Sequence, residues 1–378
     1  MGGLKYGGSM VGDIVKWDSS DDKVRKLLSV VRDTVKDYLN ALRKEPIKDL
    51  VNLFEGIKPR KWEIGERYSS LIVPIEEPRE YGLPKDIYDI SVCIDYLANE
   101  EVSVGAFDAS YFGLGAHLYI PLLVISVGYW YYNYSRNEGG DGVIVSGSSL
   151  LDDEVDSELI VKNVEGEAIR VITDKLSGEN RFVLFDESFN LTYTLSWAVE
   201  KRKSMAEKVK NNITICVDKG IIPVAVFHTR SHDLIRGIAF LANKGVKDMP
   251  NVSDAMFMRV YLKDVGSRSP LFMVYSKPIR DANLDLVGFY LKVDTHSVIR
   301  VEFPTSFKDK VDLIHSVVFS QVVLGKGFPL ALQRAHDMAV ITRDERKIIE
   351  ETIVELLRRP SIEYILSRKE LSKRWPIA

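Results

Sequence analysis

The chain has little cysteine, almost no net charge and no long apolar run, and each absence excludes a class of protein. Only Cys93 and Cys216 occur among 378 residues, without a CxxC spacing, which argues against a disulfide scaffold or a zinc knuckle. The formal net charge of −3 gives no global basic field of the kind that many nucleic-acid-binding proteins carry. An anionic polymer would therefore have to bind at a local basic surface.

We also expect neither a secretion signal nor a membrane span in this sequence. No basic stretch followed by an apolar core opens the chain, and the longest apolar stretch, Leu118 to Tyr134, is short and contains Pro121 and Gly128. We predict a cytoplasmic protein that does not enter a membrane. A hydrophobic content of 46% suits a globular core, and abundant Lys, Glu, Ile and Val favour a thermophilic source.

The spacing of apolar residues and the positions of prolines divide the chain into four segments. Apolar residues at helical spacing between residues 21 and 56, interrupted at Pro46, predict an N-terminal helical segment over 1–60. Prolines 74, 78 and 84 predict a small strand-and-loop insertion over 61–100. A core follows over 101–345, and a C-terminal helix and tail occupy 346–378.

Strands and helices alternate in the predicted core, which indicates an α/β fold with a mixed sheet flanked by helices. We predict strands at residues 102–108, 118–127, 128–134, 182–186, 221–227, 256–262, 271–275, 287–293 and 297–303. Predicted helices cover residues 153–176, 195–211, 307–323, 329–343 and 346–356, and the glycine-rich residues 137–142 are predicted to form a loop.

Two apolar strands end on the same short phrase. Val104–Ser110 reads Val-Gly-Ala-Phe-Asp-Ala-Ser, and Phe182–Ser188 reads Phe-Val-Leu-Phe-Asp-Glu-Ser. A buried strand that ends on a carboxylate places a metal ligand or a general base at the rim of a sheet, where open α/β folds bind ligands. A strand-terminal Asp also commonly caps a helix or forms a turn, so the evidence for a functional role comes mainly from Asp108 and Asp186 occurring as a pair.

An acid on the intervening helix and His336 complete a set that suits phosphodiester cleavage by metal ions. Such cleavage uses several carboxylates around a pair of cations. Oxygen-rich ligands favour Mg²⁺ or Mn²⁺, and an added imidazole favours Mn²⁺.

The phrase Gly327-Phe328-Pro329-Leu330-Ala331-Leu332-Gln333-Arg334-Ala335-His336 resembles the C-terminal motif of the NurA nucleases, an archaeal family. That family has a strand ending in an Asp-Gly-Ser-like triplet, a helix Glu, a second such strand, and then this motif. All four features occur here in order, over roughly residues 100–345. The resemblance implies a ribonuclease-H-like core that degrades DNA ends with Mn²⁺ or Mg²⁺, with two ions expected.

Carried over residue by residue, the resemblance makes Asp108, Asp186 and His336 catalytic metal ligands. The helix acid is Glu165 or Glu167, with Glu158 as an outside candidate; we favour Glu165, which lies at the edge of the stripe formed by Val161, Val164, Ala168, Val171 and Ile172. The resemblance further implies a homodimer that works beside a hexameric HerA-type ATPase in recombination and double-strand break repair.

Three positions depart from the family pattern. Ala109 and Glu187 replace the glycine of each triplet, and Phe328 replaces an aromatic residue that carries a hydroxyl. These changes favour a second hypothesis, in which the chain is a weakly active or inactive module that binds DNA or its partner. Phosphoryl transfer to a small molecule ranks last, because no glycine-rich phosphate loop is present.

Several residues are candidates for contact with nucleic acid. Arg230, after a predicted strand, and Lys292 and Arg300, within predicted strands, could each position a phosphate, and Phe328 could stack on a base. Each is about as often an ordinary structural residue. The aromatic run Tyr129–Tyr134 could stack on unpaired bases, although packing within a strand is the more common role.

Overall fold

The structure of the protein is a computed structural model, which describes residues 27–36, 46–59, 64, 68–114, 122–149 and 156–357. The chain divides into two compact units, residues 1–49 and residues 50–378. Residues 27–36 form a helix (α1), and a second helix, α2, covers Pro46–Glu55. The predicted helices in this part are thus present, although residues 21–26 and 37–45 lie outside the described residues.

The larger unit contains a nine-stranded mixed sheet. Its strands are β1 Ser70–Pro74, β2 Val102–Leu114, β3 Leu122–Asn133, β4 Glu138–Ser149, β5 Asn180–Phe185, β6 Ile222–Phe227, β7 Phe272–Ser276, β8 Leu286–Lys292 and β9 Val298–Pro304. The strand order is β1-β7-β8-β9-β6-β5-β2-β3-β4. Strands β2, β3 and β4 form an antiparallel meander, while β5 runs parallel to β2 and β6 parallel to β5.

Helices cover both faces of this sheet. They are α3 Ile90–Asn99, α4 Ser157–Lys175, α5 Val199–Val217, α6 Asp233–Leu241, α7 Asp254–Tyr261, α8 Lys277–Asp281, α9 Val311–Leu324, α10 Leu330–Ala339 and α11 Arg343–Leu357. Successive side chains of a strand point to opposite faces. In β2, Val104 and Ala106 share a core with α3, α9 and α10, whereas a Cβ at Gly105 would meet Ile172 of α4.

The order of these elements confirms the predicted fold class. A three-stranded meander, a helix, a parallel strand, a second helix and a further parallel strand, arranged β4-β3-β2-β5-β6, form the ribonuclease-H-like core. Strands β9, β8, β7 and β1 extend the sheet beyond β6 through antiparallel pairs. None of the helices within the described residues is long and apolar enough to cross a membrane.

The boundaries within the meander differ from the prediction. β2 continues past Asp108 to Leu114, and one strand replaces the two that were predicted around Gly128. The glycine-rich residues predicted as a loop belong to β4. Tyrosine rings of β3 explain this: a Cβ at Gly140 would lie 2.8 Å from the hydroxyl of Tyr131, so the ring takes the space that a side chain would fill.

Two further predictions in the larger unit were wrong or incomplete. Residues 256–262 were predicted as a strand but lie almost entirely in α7, whose first turn is capped by the Ser253 side chain accepting the Met256 N–H at 3.3 Å. Residues 61–100 contribute β1, which pairs with β7 in the main sheet, and the unpredicted helix α3. Helix α6 was not predicted either. The predicted tail beyond residue 357 lies outside the described residues.

Helix α10 packs directly on the backbone of β3, and this contact places the C-terminal motif beside β2. A Cβ at Gly128 would lie 2.4 Å from the carbonyl oxygen of Ala335 and from the amide nitrogen of Ala339. Gly128 is also the cross-strand partner of Asp108. Only glycine therefore allows α10 to lie this close to the sheet at the level of Asp108.

We predict that Gly128→Ala lowers the free energy of unfolding by about 1–3 kcal/mol, because the new methyl group forces α10 away from β3. Urea unfolding followed by circular dichroism measures this loss. Gly113→Ala is the matched control, since Gly113 lies in β2 and its Cβ would meet nothing within 4 Å. Equal stability of the two variants would contradict the inferred contact.

Candidate active site

Two acidic residues lie side by side where β2 and β5 pair. The parallel register joins Phe107 to Phe185, so the next residues, Asp108 and Asp186, are neighbours at the edge where β5 ends. The sequence predicted both as strand-end acids. Asp186 does follow the last residue of its strand, whereas Asp108 lies within a longer one.

Helix α4 brings a third acid to this edge. The helix begins after Asp156, whose side chain accepts the Glu158 N–H at 2.9 Å, and its buried stripe includes Val161, Val164, Ala168 and Ile172. Glu165 is buried beside this stripe, with 5% of its surface exposed, whereas Glu167 is exposed. This geometry favours Glu165 over Glu167 as the helix acid.

These acids share a cleft of about 230 Å³. Its lining residues are Phe107, Asp108, Ala109, Tyr111, Glu158, Val161, Lys162, Glu165, Asp186, Glu187, Tyr193 and Met205. Five of these side chains are carboxylates, and Glu158, the outside candidate from the sequence, is one of them. The cleft therefore concentrates negative charge next to aromatic and apolar walls.

Burial and mutual repulsion raise the pKa of two of these acids. Burial raises the pKa of Glu165 to about 7; Lys162 opposes this rise, and Glu187 adds to it. Desolvation is the largest cause that raises the pKa of Asp186 to about 6, and the negative charge of Asp108 is the second. Part of the Asp186 side chain is nevertheless exposed. Both carboxylates thus lie in surroundings that disfavour their ionised forms unless a cation is near.

Lys162 is a charged residue of the cleft that the sequence patterns did not predict. Its ammonium nitrogen lies 2.8 Å from Oε2 of Glu165 and 2.7 Å from Oε2 of Glu187. The side chain is only 11% exposed, and the two carboxylates raise the pKa of the ammonium group despite its burial. The available signal was its position one helical turn before Glu165, which places both residues on one face of α4.

The C-terminal motif brings His336 to Asp108. Nδ1 of His336 lies 2.6 Å from Oδ2 of Asp108, and Oδ1 of Asp108 accepts the N–H of Ala109 at 2.8 Å. An ionised carboxylate only accepts, so Nδ1 carries the proton and Nε2 of the exposed imidazole stays available. Gln333 supports the preceding loop by donating to the carbonyl oxygens of Gly325 and Phe328 at 2.6 and 2.9 Å.

The three departures from the expected motif pattern are accommodated without backbone strain. Ala109 pairs with Val127 in the sheet, and neither Ala109 nor Glu187 adopts a positive φ. Phe328 is half-buried and stacks on the ring of His228, with centroids 5.6 Å apart. The carboxylate of Glu187 accepts a hydrogen bond from the ammonium group of Lys162.

The loop that carries Asp186 is held from beneath by a buried ion pair. Oε2 of Glu302 accepts the Ser188 hydroxyl at 3.0 Å and the Phe189 N–H at 2.8 Å. Oε1 of Glu302 lies 2.7 Å from the Arg300 guanidinium, and both side chains are almost fully buried. Arg300 is therefore an internal positioning residue, and the predicted phosphate contact at this residue is wrong.

The other predicted nucleic-acid contacts differ in exposure. Lys292 is buried and donates to the carbonyl oxygens of Leu262 and Lys263 at 2.6 and 3.0 Å, which argues against a role in DNA contact. Arg230 is exposed just after the end of β6, a strand that runs parallel to β5. It remains a candidate, and the exposed cleft residues Tyr111 and Tyr193 join it.

The donor set of the cleft fits a hard divalent cation. Mg²⁺ and Mn²⁺ bind oxygen ligands, and Asp108, Asp186, Glu165 and Glu158 all present carboxylates to one cavity. In the arrangement seen, no three His, Cys, Asp or Glu side chains of the described chain form a ready metal-binding group. Lys162 already takes two of the carboxylates, and His336 takes one oxygen of Asp108.

Comparisons with known proteins agree with this fold and motif. Residues 212–341 match the family model of the NurA domain, a stretch that includes His336 but not Asp108, Glu165 or Asp186. A comparison with curated protein sequences gives no match.

Three solved structures are similar to the chain. The crystal structure of the NurA nuclease from Sulfolobus solfataricus has a TM-score of 0.51 at 15% identity, covering 90% of this chain and 98% of that one. A crystal structure of NurA with manganese has a TM-score of 0.43 at 8% identity, covering 90% and 99%. Endonuclease V from Bacillus subtilis has a TM-score of 0.34 at 12% identity, covering 70% and 92%.

The domain match confirms the resemblance that the sequence motifs indicated, and the Sulfolobus solfataricus structure shows a shared fold. The chain therefore resembles the NurA nucleases in fold, and its residues 212–341 match the NurA domain.

Proposed function

We propose that the chain is a metal-dependent deoxyribonuclease, a phosphodiester hydrolase that uses Mn²⁺. The observation that carries this proposal is the meeting of Asp108, Asp186 and Glu165 at one cleft, with His336 bonded to Asp108, although these residues are far apart in sequence. The NurA domain and the fold shared with a NurA nuclease support it.

Asp108 and Asp186 are the residues that would hold a divalent ion, with Glu165, Glu158 and His336 as further ligands. A bound divalent ion supplies an activated water and neutralises the charge that develops on the phosphate. The protein's own groups prepare the site: Asp108 accepts from Nδ1 of His336 and so fixes the tautomer, which leaves the Nε2 lone pair of the imidazole free to bind the ion. Tyr111 and Tyr193 offer exposed rings on which an unpaired base can stack.

We further propose that the substrate is a DNA end, cleaved during recombination and double-strand break repair by a cytoplasmic homodimer that works with a HerA-type ATPase. The NurA domain supports this setting. Exposed Arg230 lies beyond β6, two strands from Asp108, and is the basic side chain that we assign to the DNA backbone.

A second candidate function is a DNA-binding or partner-binding module with little catalysis. The observation that favours it is Lys162, whose ammonium group bonds to Glu165 and Glu187 and so competes with metal for carboxylate oxygens. A module of this kind would bind DNA equally well with Asp108 or with alanine at that position. Measuring cleavage and binding on the same labelled linear DNA separates the two functions.

We predict that Asp108→Asn, Asp186→Asn and Glu165→Gln each lower Mn²⁺-dependent cleavage by roughly 10²-fold or more, because each change removes a negative charge from the cleft that the cations of the site must balance. Glu167→Gln is the matched control on the same helix and keeps wild-type activity, because Glu167 is exposed outside the cleft. Release of labelled nucleotides measures each rate. Full activity of Asp108→Asn would contradict the proposed mechanism.

Mn²⁺ should stabilise the protein through the same residues. We predict that Mn²⁺ at about 100 times its dissociation constant adds roughly 2.7 kcal/mol to the free energy of unfolding, since the ion binds the folded chain. The thermal unfolding of Asp186→Asn should respond much less, because one carboxylate of the site is gone. A melting temperature that does not change with Mn²⁺, in wild type and variant alike, would show that the cleft is not a metal site.

A further inference from the structure

Lys162 places a positive charge among the acids of the cleft. The side chain comes from α4, one turn before Glu165, and its ammonium group bridges Glu165 and Glu187 at 2.8 and 2.7 Å. A buried ammonium group is stable only when it is paired, and here two carboxylates pair it. The contact is therefore part of the folded site and differs from a loose surface ion pair.

Glu187 belongs to this arrangement through Lys162. It occupies the place where the triplet pattern has glycine, and its carboxylate points to the same ammonium group as Glu165. Lys162, Glu165 and Glu187 form a cluster in which one positive charge pairs with two negative charges. A divalent ion bound to the carboxylate oxygens of Glu165 and Glu187 would either displace the ammonium group or be repelled strongly by it.

The remaining acids of the cleft make no ion pair with Lys162. Asp108 and Asp186 are adjacent at the strand edge, and His336 bonds to Asp108. Glu158 lines the same cleft. These side chains offer carboxylate oxygens and an imidazole without any contact to Lys162, which suits one ion.

We propose that the cleft binds a single divalent ion at Asp108 and Asp186, and that the ammonium group of Lys162 takes the place of the second cation. This inference rests on the proposed nuclease function, and it replaces the pair of ions that the sequence led us to expect. Lys162 is thus a fixed charge that offsets one of the two negative charges of Glu165 and Glu187 whether or not metal is present.

Counting bound ions tests the inference without measuring activity. Full-length protein is titrated with Mn²⁺, bound ions are counted by isothermal calorimetry, and free Mn²⁺ is followed by electron paramagnetic resonance. We expect one ion per wild-type chain and two per Lys162→Met chain, because methionine has similar length without the charge. Lys162→Arg retains a charge and should bind one ion.

Lys201→Met is the matched control. Lys201 also pairs with a carboxylate, Asp156, at 2.5 Å, but it does not line the cleft, so its removal should leave one bound ion. Circular dichroism establishes that each variant is folded before its ions are counted.

The outcomes separate this inference from the proposed function. Two ions on the wild-type chain overturn the role of Lys162 and leave the nuclease function standing, and this count decides the matter even if Lys162→Met does not fold. One ion on both the wild type and a folded Lys162→Met variant also overturns it. No bound ion on any of the chains overturns the metal-dependent function itself.

Discussion

Repulsion between carboxylates is the constraint on which this site depends. Five acidic side chains line one cleft of about 230 Å³. Two unit charges 4 Å apart interact by about 4 kcal/mol near a protein surface, which is comparable with a large part of the 5–15 kcal/mol that holds a typical fold together. The cleft can therefore keep this many acids only if cations or protons compensate them. Lys162 supplies one fixed positive charge, while burial raises the pKa values of Glu165 and Asp186, and the charges of Glu187 and Asp108 add to the rise.

The sheet holds these acids together because its contacts leave them little freedom to separate. Pairing of β2 with β5 makes Asp108 and Asp186 neighbours, and the absence of a side chain at Gly128 lets α10 lie against β3 beside them. Beneath the loop that follows β5, Glu302 accepts two hydrogen bonds from Ser188 and Phe189. Its partner Arg300 is buried, so breaking this pair would leave an uncompensated charge in the core. The geometry of the cleft thus depends on packing and charge well outside it.

Sequence patterns predicted the parts of this site that follow from regular structure. Apolar runs located β5 and β6 closely, and the helical stripe of α4 pointed to Glu165 rather than Glu167. Periodicity could not show that Lys162 turns toward two acids, since a charged residue beside a buried stripe is usually solvated. It failed for Lys292 because the Leu262 carbonyl that accepts from it comes from a distant part of the sequence. It failed for Arg300 because the sequence does not show that Arg300 and the nearby Glu302 are both buried. Strand β4 was not predicted, because tyrosine rings of β3 occupy the space beside its glycines. This is a tertiary contact, which local strand propensity does not reflect.

The departures from the family pattern have a physical logic once their partners are known. Glycine in such a triplet leaves space, whereas Glu187 adds a negative charge that would be costly in a cleft of this kind. The ammonium group of Lys162 lies within hydrogen-bonding distance of the Glu187 carboxylate, so the two charges compensate each other. The backbone at Glu187 does not adopt a positive φ, so it does not require glycine. A glutamate here without the lysine would add to the repulsion around Glu165, and a lysine here without the glutamate would have one carboxylate fewer to pair with. Lys162 and Glu187 are therefore best understood as one unit.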